Sequence, residues 1–408
     1  MKKKSVAIAS FIAFGSYSIA AMAQSSISIY GNLDQTLVQQ SQAGKSATTS
    51  GSNNNSTSYW GITGTEDIGS GIKTSFDLRS EITLLTGQAA QTSTSATNAG
   101  QTSTATVTQN TVTNAGDKPS FFNRGAYVKI EKSDLGAFTI GRQGDLWFKS
   151  WGEVNTATGA SGSFATLVAM QLNSTNFSNL VSGIPNTTAI SNFAGSASSA
   201  GININPTYIG TSNGFMGGMT FETPTISGMS AAYQMGIPKI SYNDPGSANN
   251  GAAYVLRYDQ NGLRIRVSES YKNDYAGSKA WVEDLVGMTY SFGAWKVALS
   301  NNKMKFQASA IGNGTTATAA GLFYNVSSAL TLNVSYGQLK DDVTSSNTFK
   351  TTSLNAQYKL SPRSTIYAGI FNGVNAGQMK QTPIYGGSAT DTLNATVNAY
   401  SLGIKHMF

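Results

Sequence analysis

The last nine residues of the chain, Tyr400-Ser-Leu-Gly-Ile-Lys-His-Met-Phe408, show the side-chain pattern that decides the fold class. Successive side chains of an extended strand point to opposite faces, so every second residue shares a face. One face of this segment carries Tyr400, Leu402, Ile404, His406 and Phe408. The other face is mostly small or polar and carries Ser401, Gly403, Lys405 and Met407. This alternation predicts a membrane strand that borders lipid on one side and a water-filled lumen on the other.

Segments of about ten residues with the same alternation recur along the whole chain. In one of them, Leu263, Ile265 and Val267 lie on the face opposite Arg264 and Arg266. The pattern predicts strands at residues 25–40, 58–66, 71–84, 122–132, 136–144, 213–223, 228–237, 250–260, 262–272, 280–291, 294–305, 315–326, 329–340, 348–360, 363–372 and 396–408. Their number, about sixteen, is even, as is usual for bacterial barrels.

The connections between these segments alternate in length. Short turns are predicted at residues 66–70, 133–135, 224–227, 259–262, 291–293, 325–328 and 360–363. Long loops are predicted at residues 41–57, 85–121, 145–212, 238–249, 273–279, 306–314, 341–347 and 373–395. Short periplasmic turns and long external loops are typical of transmembrane β-barrels. Residues 86–116 are mostly Thr, Ser, Ala, Asn and Gln, which favours a solvated external loop.

A closed barrel is the architecture that these patterns favour. After the first 23 residues no window approaches the ~18 apolar residues of a membrane helix. A closed barrel crosses a bilayer without helices because every backbone N–H and C=O is bonded between strands. A soluble barrel with this alternation would instead bury its polar face, which is costly for unpaired charges. We therefore predict an all-β fold, a transmembrane antiparallel β-barrel of about sixteen strands.

The N-terminus has the features of an export signal. Lys2-Lys3-Lys4 forms a positive segment, Val6 to Ile19 is apolar, and Ala21-Met22-Ala23 is a small-residue cleavage site. The expected division is a cleaved signal peptide at residues 1–23 and a barrel at residues 24–408.

Composition excludes several classes of function. The chain has no cysteine and one histidine, so we expect no catalytic site, no metal site and no cofactor. Three of the seven net positive charges belong to the lysines of the predicted signal, and no other run of Lys or Arg occurs. Nucleic-acid binding therefore has no support.

Five sequence segments together resemble the Gram-negative general porins, and most closely the neisserial and comamonad group. These segments are Ser28-Ile-Tyr-Gly-Asn-Leu-Asp34, Trp60-Gly-Ile-Thr-Gly-Thr-Glu-Asp-Ile-Gly-Ser-Gly71, Asn123-Arg-Gly-Ala-Tyr-Val128, Gly136-Ala-Phe-Thr-Ile-Gly-Arg142 and Gly403-Ile-Lys-His-Met-Phe408. The resemblance implies an outer-membrane porin of a Gram-negative bacterium, a channel for passive diffusion of small hydrophilic solutes and ions.

The resemblance also implies partners and a constriction. Its partners would be outer-membrane lipid, two further copies in a homotrimer, and the barrel-assembly machinery that reads Phe408. The third external loop, residues 145–212, would fold inward and narrow the pore. A structureless loop of that length is unusual unless it is functional.

Carried over to this chain, the family pattern gives an incomplete charge arrangement at the constriction. Arg142 matches a basic position of the wall, whereas Tyr59 stands where an arginine is usual and Asn32 where some members have lysine. Asp145 and Glu153 are the only acids of the third loop. Strand parity, the rule that every second residue of a strand shares a face, groups Arg142 with Ile140 and so points it toward lipid. The resemblance instead places Arg142 in the pore. A bulge at the strand end would reconcile the two.

Parity predicts which charges line the lumen. The inward basic residues are Lys73, Arg79, Lys129, Arg257, Arg264, Arg266, Lys296, Lys359 and Lys405. The inward acids are Asp34, Asp77, Glu81 and Glu283. This excess predicts a mild preference for anions. Arg257, Arg264 and Arg266 are the candidates for an anion-attracting patch, because Asp259 is the only acid near them in sequence.

Three other functions are weighed against a general porin. A substrate-specific channel, for example for sugars or organic acids, would need a track of inward aromatic rings, and parity finds only Tyr59 and Tyr127. An outer-membrane hydrolase would need a histidine or an acidic pair, and His406 stands at the terminus. An adhesin or translocator would show a long passenger before a smaller barrel, whereas the strands predicted here begin at residue 25 and fill the chain.

Overall fold

The computed structural model describes residues 26–52, 55–89, 121–157, 215–237, 251–273, 279–306, 314–342, 345–377 and 395–408. The predicted signal segment and most of the predicted long loops lie outside these ranges. Within them no helix is long and apolar enough to cross a membrane.

The described residues form one antiparallel sheet and one helix. The strands are β1 Ser26–Gln42, β2 Lys45–Ser52, β3 Tyr59–Gly69, β4 Ile72–Thr83, β5 Gln88–Ala89, β6 Gly125–Lys132, β7 Gly136–Gly144, β8 Phe215–Glu222, β9 Met229–Gly236, β10 Ala252–Gln260, β11 Leu263–Asn273, β12 Lys279–Phe292, β13 Trp295–Phe306, β14 Gly314–Asn325, β15 Leu330–Asp341, β16 Thr348–Lys359, β17 Ser364–Ala376 and β18 Thr396–Met407. The helix is α1, Leu146–Glu153, between β7 and β8.

The sheet closes on itself into a barrel. β1 pairs with β3, β3 with β4 and β4 with β6, and from β6 onward each strand pairs with the next. β18 then pairs with β1 from Asn32 opposite Met407 to Gln42 opposite Val397. The C-terminal residue completes this seam, because the N–H and C=O of Phe408 both bond Gly31 at 3.1 Å. Closure leaves no open sheet edge, which a membrane-spanning sheet requires. The predicted transmembrane β-barrel is confirmed.

The barrel has sixteen positions although the sheet has eighteen strands. β2 and β3 share one position in the barrel, because β2 pairs with residues 35–42 of β1 and β3 pairs with residues 26–32. β5 is a two-residue extension that pairs with the end of β4. The predicted strands match the remaining elements to within a few residues.

The predicted loop at residues 41–57 is partly wrong. β1 continues to Gln42 and turns back at once through Ala43 and Gly44, whose φ angles are +50° and +76°. A two-residue turn with positive φ at both positions matches the twist of a β-hairpin. The Ser- and Thr-rich β2 has no apolar alternation, so its polarity resembled that of a loop.

Side chains are arranged with the apolar face outward. On β1, Leu37 is 58% exposed on the outer surface, while Asp34 and Val38 on the inner surface are almost fully buried. Outward apolar residues on other strands include Val286, Leu354, Ile370 and Leu402. A soluble protein would bury these side chains, whereas a bilayer solvates them, so the alternation fits a transmembrane barrel.

Candidate functional site: the lumen and its constriction

The third loop enters the barrel as soon as β7 ends. Asp145 caps α1, because its Oδ1 accepts the backbone N–H of Trp147 at 2.8 Å. The other carboxylate oxygen accepts the hydroxyl of Ser270 on β11 at 2.7 Å. The start of the helix is therefore anchored to the inner wall of the barrel at β11.

An apolar patch on the inner wall receives the helix. Leu146 packs with Ala232, Ala253 and Val255 in one buried cluster. The Trp147 side chain is also buried, and its Nε1 donates to Asn302 Oδ1 at 2.8 Å. The inward Ala232, Ala253 and Val255 could have predicted a packing site for the loop from the sequence, because a water-filled lumen normally places polar residues there.

Two glycines let the segment after the helix lie against the wall. A Cβ on Gly287 of β12 would lie 2.9 Å from Val154 Cβ, and one on Gly321 of β14 would lie 2.7 Å from the Thr156 carbonyl carbon. Asn333 of β15 donates from Nδ2 to the Thr156 carbonyl at 3.3 Å. The described part of the third loop thus crosses the lumen side of β9 to β15. Residues 145–157 of the loop predicted at 145–212 therefore lie inside the barrel, and the rest of that loop lies outside the described residues.

The arginines of the proposed anion-attracting patch are all paired with acids. Arg266, 3% exposed, contacts Glu153 at the end of α1 and Asp259 on β10, the latter at 2.7 Å. Arg264 bonds the same Asp259 at 2.7 Å, and Arg257 bonds Glu222 at 2.8 Å.

The hypothesis of a free arginine patch is therefore wrong. Its partner acids come from β8, β10 and the loop helix. Glu153 is 113 positions from Arg266, so distance along the chain concealed the pairing.

The opposite wall carries a cluster of tyrosines around one ion pair. Arg79 donates to Asp77 at 2.7 Å, and Tyr30 donates to the other oxygen of that carboxylate. The Arg79 guanidinium lies over the Tyr59 ring at 5.2 Å, and the rings of Tyr30 and Tyr59 are 5.8 Å apart. Tyr127 also lies close to Asp77. Tyr59, Asp77 and Arg79 thus face the lumen, as parity predicts.

Asn32 and Asp34 face inward but are covered by the residues before β3. Asn32 Nδ2 donates to Ser56 Oγ at 2.8 Å, and Asp34 accepts the N–H of Ser56 at 2.7 Å. The Tyr367 hydroxyl, from β17, also bonds Asp34. These contacts join the first strands to the last ones, and they leave Asp34 with no exposed surface.

Arg142 is half-buried near the end of β7. It pairs with Ala126 and with Gly217, and neither register shifts beside it. Its Nε donates to the carbonyl of Asn123 at 2.7 Å. The bulge expected from the resemblance is absent, so parity places Arg142 with Ile140, away from Gly141 and Gln143.

Sequence reasoning missed several inward charges. Arg124 bonds Glu81 at 2.7 Å where the chain enters β6, outside any regular alternation. Glu222 and Asp259 follow the inward parity of Thr220 and Arg257 and could have been found by extending the strand test. Lys149 lies on the helix, which the strand test does not cover.

Lysines are the lumen cations without acid partners. Within the described ranges, the inward or lumen-facing lysines that form no ion pair are Lys73, Lys149, Lys296, Lys359 and Lys405. The Lys149 side chain reaches lumen water, yet the enclosing barrel wall lowers its pKa. Glu222 and Asp145 oppose that shift, while Arg257 and Arg79 reinforce it.

Inward aromatic residues are more numerous than the two that parity suggested. Further rings on the inner surface are Tyr30, Phe323, Phe349, Tyr367 and Phe371. The last four are at most 3% exposed, and the Tyr367 ring lies over the inward side of Gly403. These rings fill the wall beside small residues and offer little surface to a solute.

The barrel, its apolar exterior and the loop inside its polar lumen define a channel-forming protein of a membrane. The model of the Gram-negative porin family matches residues 6–378. The chain belongs to this family, whose channels lie in the outer membrane of Gram-negative bacteria.

Individual relatives agree with this assignment. An 84-residue stretch is 43% identical to outer membrane porin protein 32 of Delftia acidovorans, covering 20% of this chain and 23% of that relative. The fold is similar to the anion-selective porin of Comamonas acidovorans, with a TM-score of 0.64 and 17% identity over 94% of this chain and 100% of that one. It is also similar to the trimer form of OmpT from Vibrio cholerae, with a TM-score of 0.54 and 12% identity over 94% of this chain and 99% of that one.

Proposed function

We propose that the protein passes small hydrophilic solutes and ions by passive diffusion, with a mild preference for anions. The carrying observation is the unequal pairing of lumen charges. The carboxylates of Asp77, Glu81 and Glu222 each bond an arginine, and so do those of Glu153 and Asp259. The inward acids outside these pairs, Asp34, Asp145 and Glu283, are almost fully buried, so the more exposed lysines without ion pairs supply the charge that a permeating ion meets.

Position decides how much each of these lysines contributes. At ~0.15 M salt the Debye length is about 8 Å, so a charge far from the permeating ion is screened. Residues 154–221 contain no Asp, Glu, Lys or Arg, so the rest of the third loop adds no fixed charge. The wall and α1 therefore determine the field along the narrowed part of the lumen.

The functional unit in this proposal is a homotrimer. OmpT, an outer membrane protein of V. cholerae with a similar fold, has been solved in a trimer form, and the C. acidovorans porin is named as anion-selective. We also propose that residues 1–23 are removed on export and that Phe408, which ends the closing strand, is read by the barrel-assembly machinery.

Planar-bilayer recording of the purified protein tests this function. Under a tenfold KCl gradient we expect a reversal potential of anion-selective sign and conductance steps in groups of three. Cation selectivity would contradict the role of the free lysines while leaving the channel. A folded, heat-modifiable barrel without conductance would contradict passive diffusion.

A substrate-specific channel is the second candidate. The observation that supports this candidate is the cluster of Tyr30, Tyr59 and Tyr127 around Arg79, a site of suitable chemistry for a flat anionic solute. Conductance that falls at micromolar concentrations of an aromatic carboxylate would support this candidate, whereas unchanged conductance up to millimolar concentrations would favour the general porin.

A further inference from the structure

The helix of the third loop uses both of its acids to attach itself to the wall. Asp145 caps the helix and accepts the Ser270 hydroxyl, and Glu153 contacts the buried Arg266. Glu153 is thus paired with an arginine, and Asp145 is almost fully buried against the wall. The remaining ionic group of the third loop is Lys149, because residues 154–221 are uncharged.

Helical geometry directs Lys149 into the lumen. Leu146, Trp147 and Ser150 are the buried residues of α1 and define its wall side. Lys149 is exposed, and a Cβ on the neighbouring Gly152 would meet no atom within 4 Å. The face of α1 that carries these two residues therefore borders open lumen.

The charged neighbours of Lys149 are two acids and two arginines, which balance one another in sign. Its charged neighbours are Glu222 on β8, Arg257 on β10, Arg79 on β4 and the helix cap Asp145. Glu222 is already bonded to Arg257 and Asp145 to Ser270, while Arg79 is bonded to Asp77. Lys149 is exposed and forms no ion pair among the described residues, whereas Asp145 is buried against the wall beside the Ser270 hydroxyl.

We propose that Lys149 sets the anion preference of the channel, as the loop-borne member of a transient subsite for small anions such as chloride and short carboxylates. This inference rests on the proposed anion preference and names the residue responsible for it. The helix holds the cation in the lumen while its acids face the wall. An anion passing α1 meets Lys149, whereas the nearby Arg257 and Arg79 are already bonded to Glu222 and Asp77.

The size of the effect follows from one unit charge near the path of the ion. At about 6 Å in water with about 0.15 M salt, one charge raises the occupancy of an anion nearly twofold and lowers that of a cation by about the same factor. Lys149→Gln should therefore lower the chloride-to-potassium permeability ratio about threefold, and Lys149→Glu should reverse the preference. Lys149→Arg keeps the charge and should keep the wild-type ratio.

The experiment measures reversal potentials in planar bilayers under a tenfold gradient of KCl, and then of potassium acetate. Lys350→Gln is the matched control, because Lys350 is an exposed lysine on the outward face of β16. This variant loses the same charge outside the lumen and should behave as the wild type. Heat-modifiability on SDS gels confirms that each variant is folded.

Two results separate the inference from the proposed function. If the wild type prefers anions and Lys149→Gln has the same permeability ratio, the Lys149 assignment is overturned and the anion-preferring porin stands. If the wild type prefers cations, the proposed preference is overturned together with the subsite. A loss in Lys149→Gln that Lys149→Arg does not share supports the assignment, since a merely structural role would not depend on charge.

Discussion

Gly321→Ala tests whether the third loop is seated against the barrel wall. Gly321 is on the inner face of β14, directly behind Thr156. A methyl group there would lie 2.7 Å from the carbonyl carbon of Thr156 and 3.0 Å from its Cα. Two carbon atoms normally approach to about 3.5 Å. The loop must therefore move toward the lumen by about 1 Å.

The cost of this movement can be bounded. Overpacking a close contact by one methyl group typically costs about 1–3 kcal/mol. The contact is with backbone atoms of the loop, which cannot rotate away as a flexible side chain would. The displacement also stretches the 3.3 Å hydrogen bond from Asn333 to Thr156, which places the expected loss toward the upper part of that range.

Two measurements report the two consequences. The urea midpoint of the vesicle-inserted barrel should fall, because the loop no longer packs on the wall. Single-channel conductance should also fall, since the displaced loop narrows the lumen. Gly217→Ala on β8 is the control, because a Cβ at Gly217 would meet nothing within 4 Å. Wild-type midpoint and conductance in Gly321→Ala would refute the seating of Thr156 on β14, and an equal loss in Gly217→Ala would attribute the effect to glycine replacement in general.

Three further outcomes are expected. Trp147→Phe removes the 2.8 Å hydrogen bond to Asn302 inside the barrel. It should lower the free energy of unfolding by about 1–3 kcal/mol, measured by urea denaturation. An unchanged urea midpoint would show that the indole does not anchor the loop. Tyr367→Phe removes the hydroxyl that bonds the buried Asp34 and should lower the temperature at which the barrel unfolds in SDS, and a wild-type temperature would contradict that contact. Because desolvation by the enclosing barrel lowers the pKa of Lys149, its charge should be lost as pH rises, at a pH below the ~10.4 of a free lysine. Anion preference should decline in that pH range in the wild type and persist in Lys149→Arg. The same pH dependence of anion preference in both proteins would contradict the assignment.

Strand positions and facing were predictable because both depend on local alternation. The outward row of Tyr400, Leu402 and Ile404 is the row that the sequence predicts, and the Asn261–Gly262 turn has the positive φ angles, +52° and +79°, that a hairpin of this type needs. β2 escaped prediction because its stability comes from pairing with β1 and not from a face of its own.

The lumen required the tertiary structure because its charges are defined by their partners. Parity placed Arg257 and Arg266 on the inner face, but their acids come from other strands and from a helix, at separations that no local pattern encodes.

The sequence by itself thus determined a membrane barrel with a polar interior, because a period of two residues fixes which side chains meet lipid and which meet water. Only the tertiary structure decided which lumen charges remain free. Long-range contacts neutralise Glu153 against the wall and leave Lys149 in the water-filled lumen, and such pairing depends on how the barrel closes around its loop.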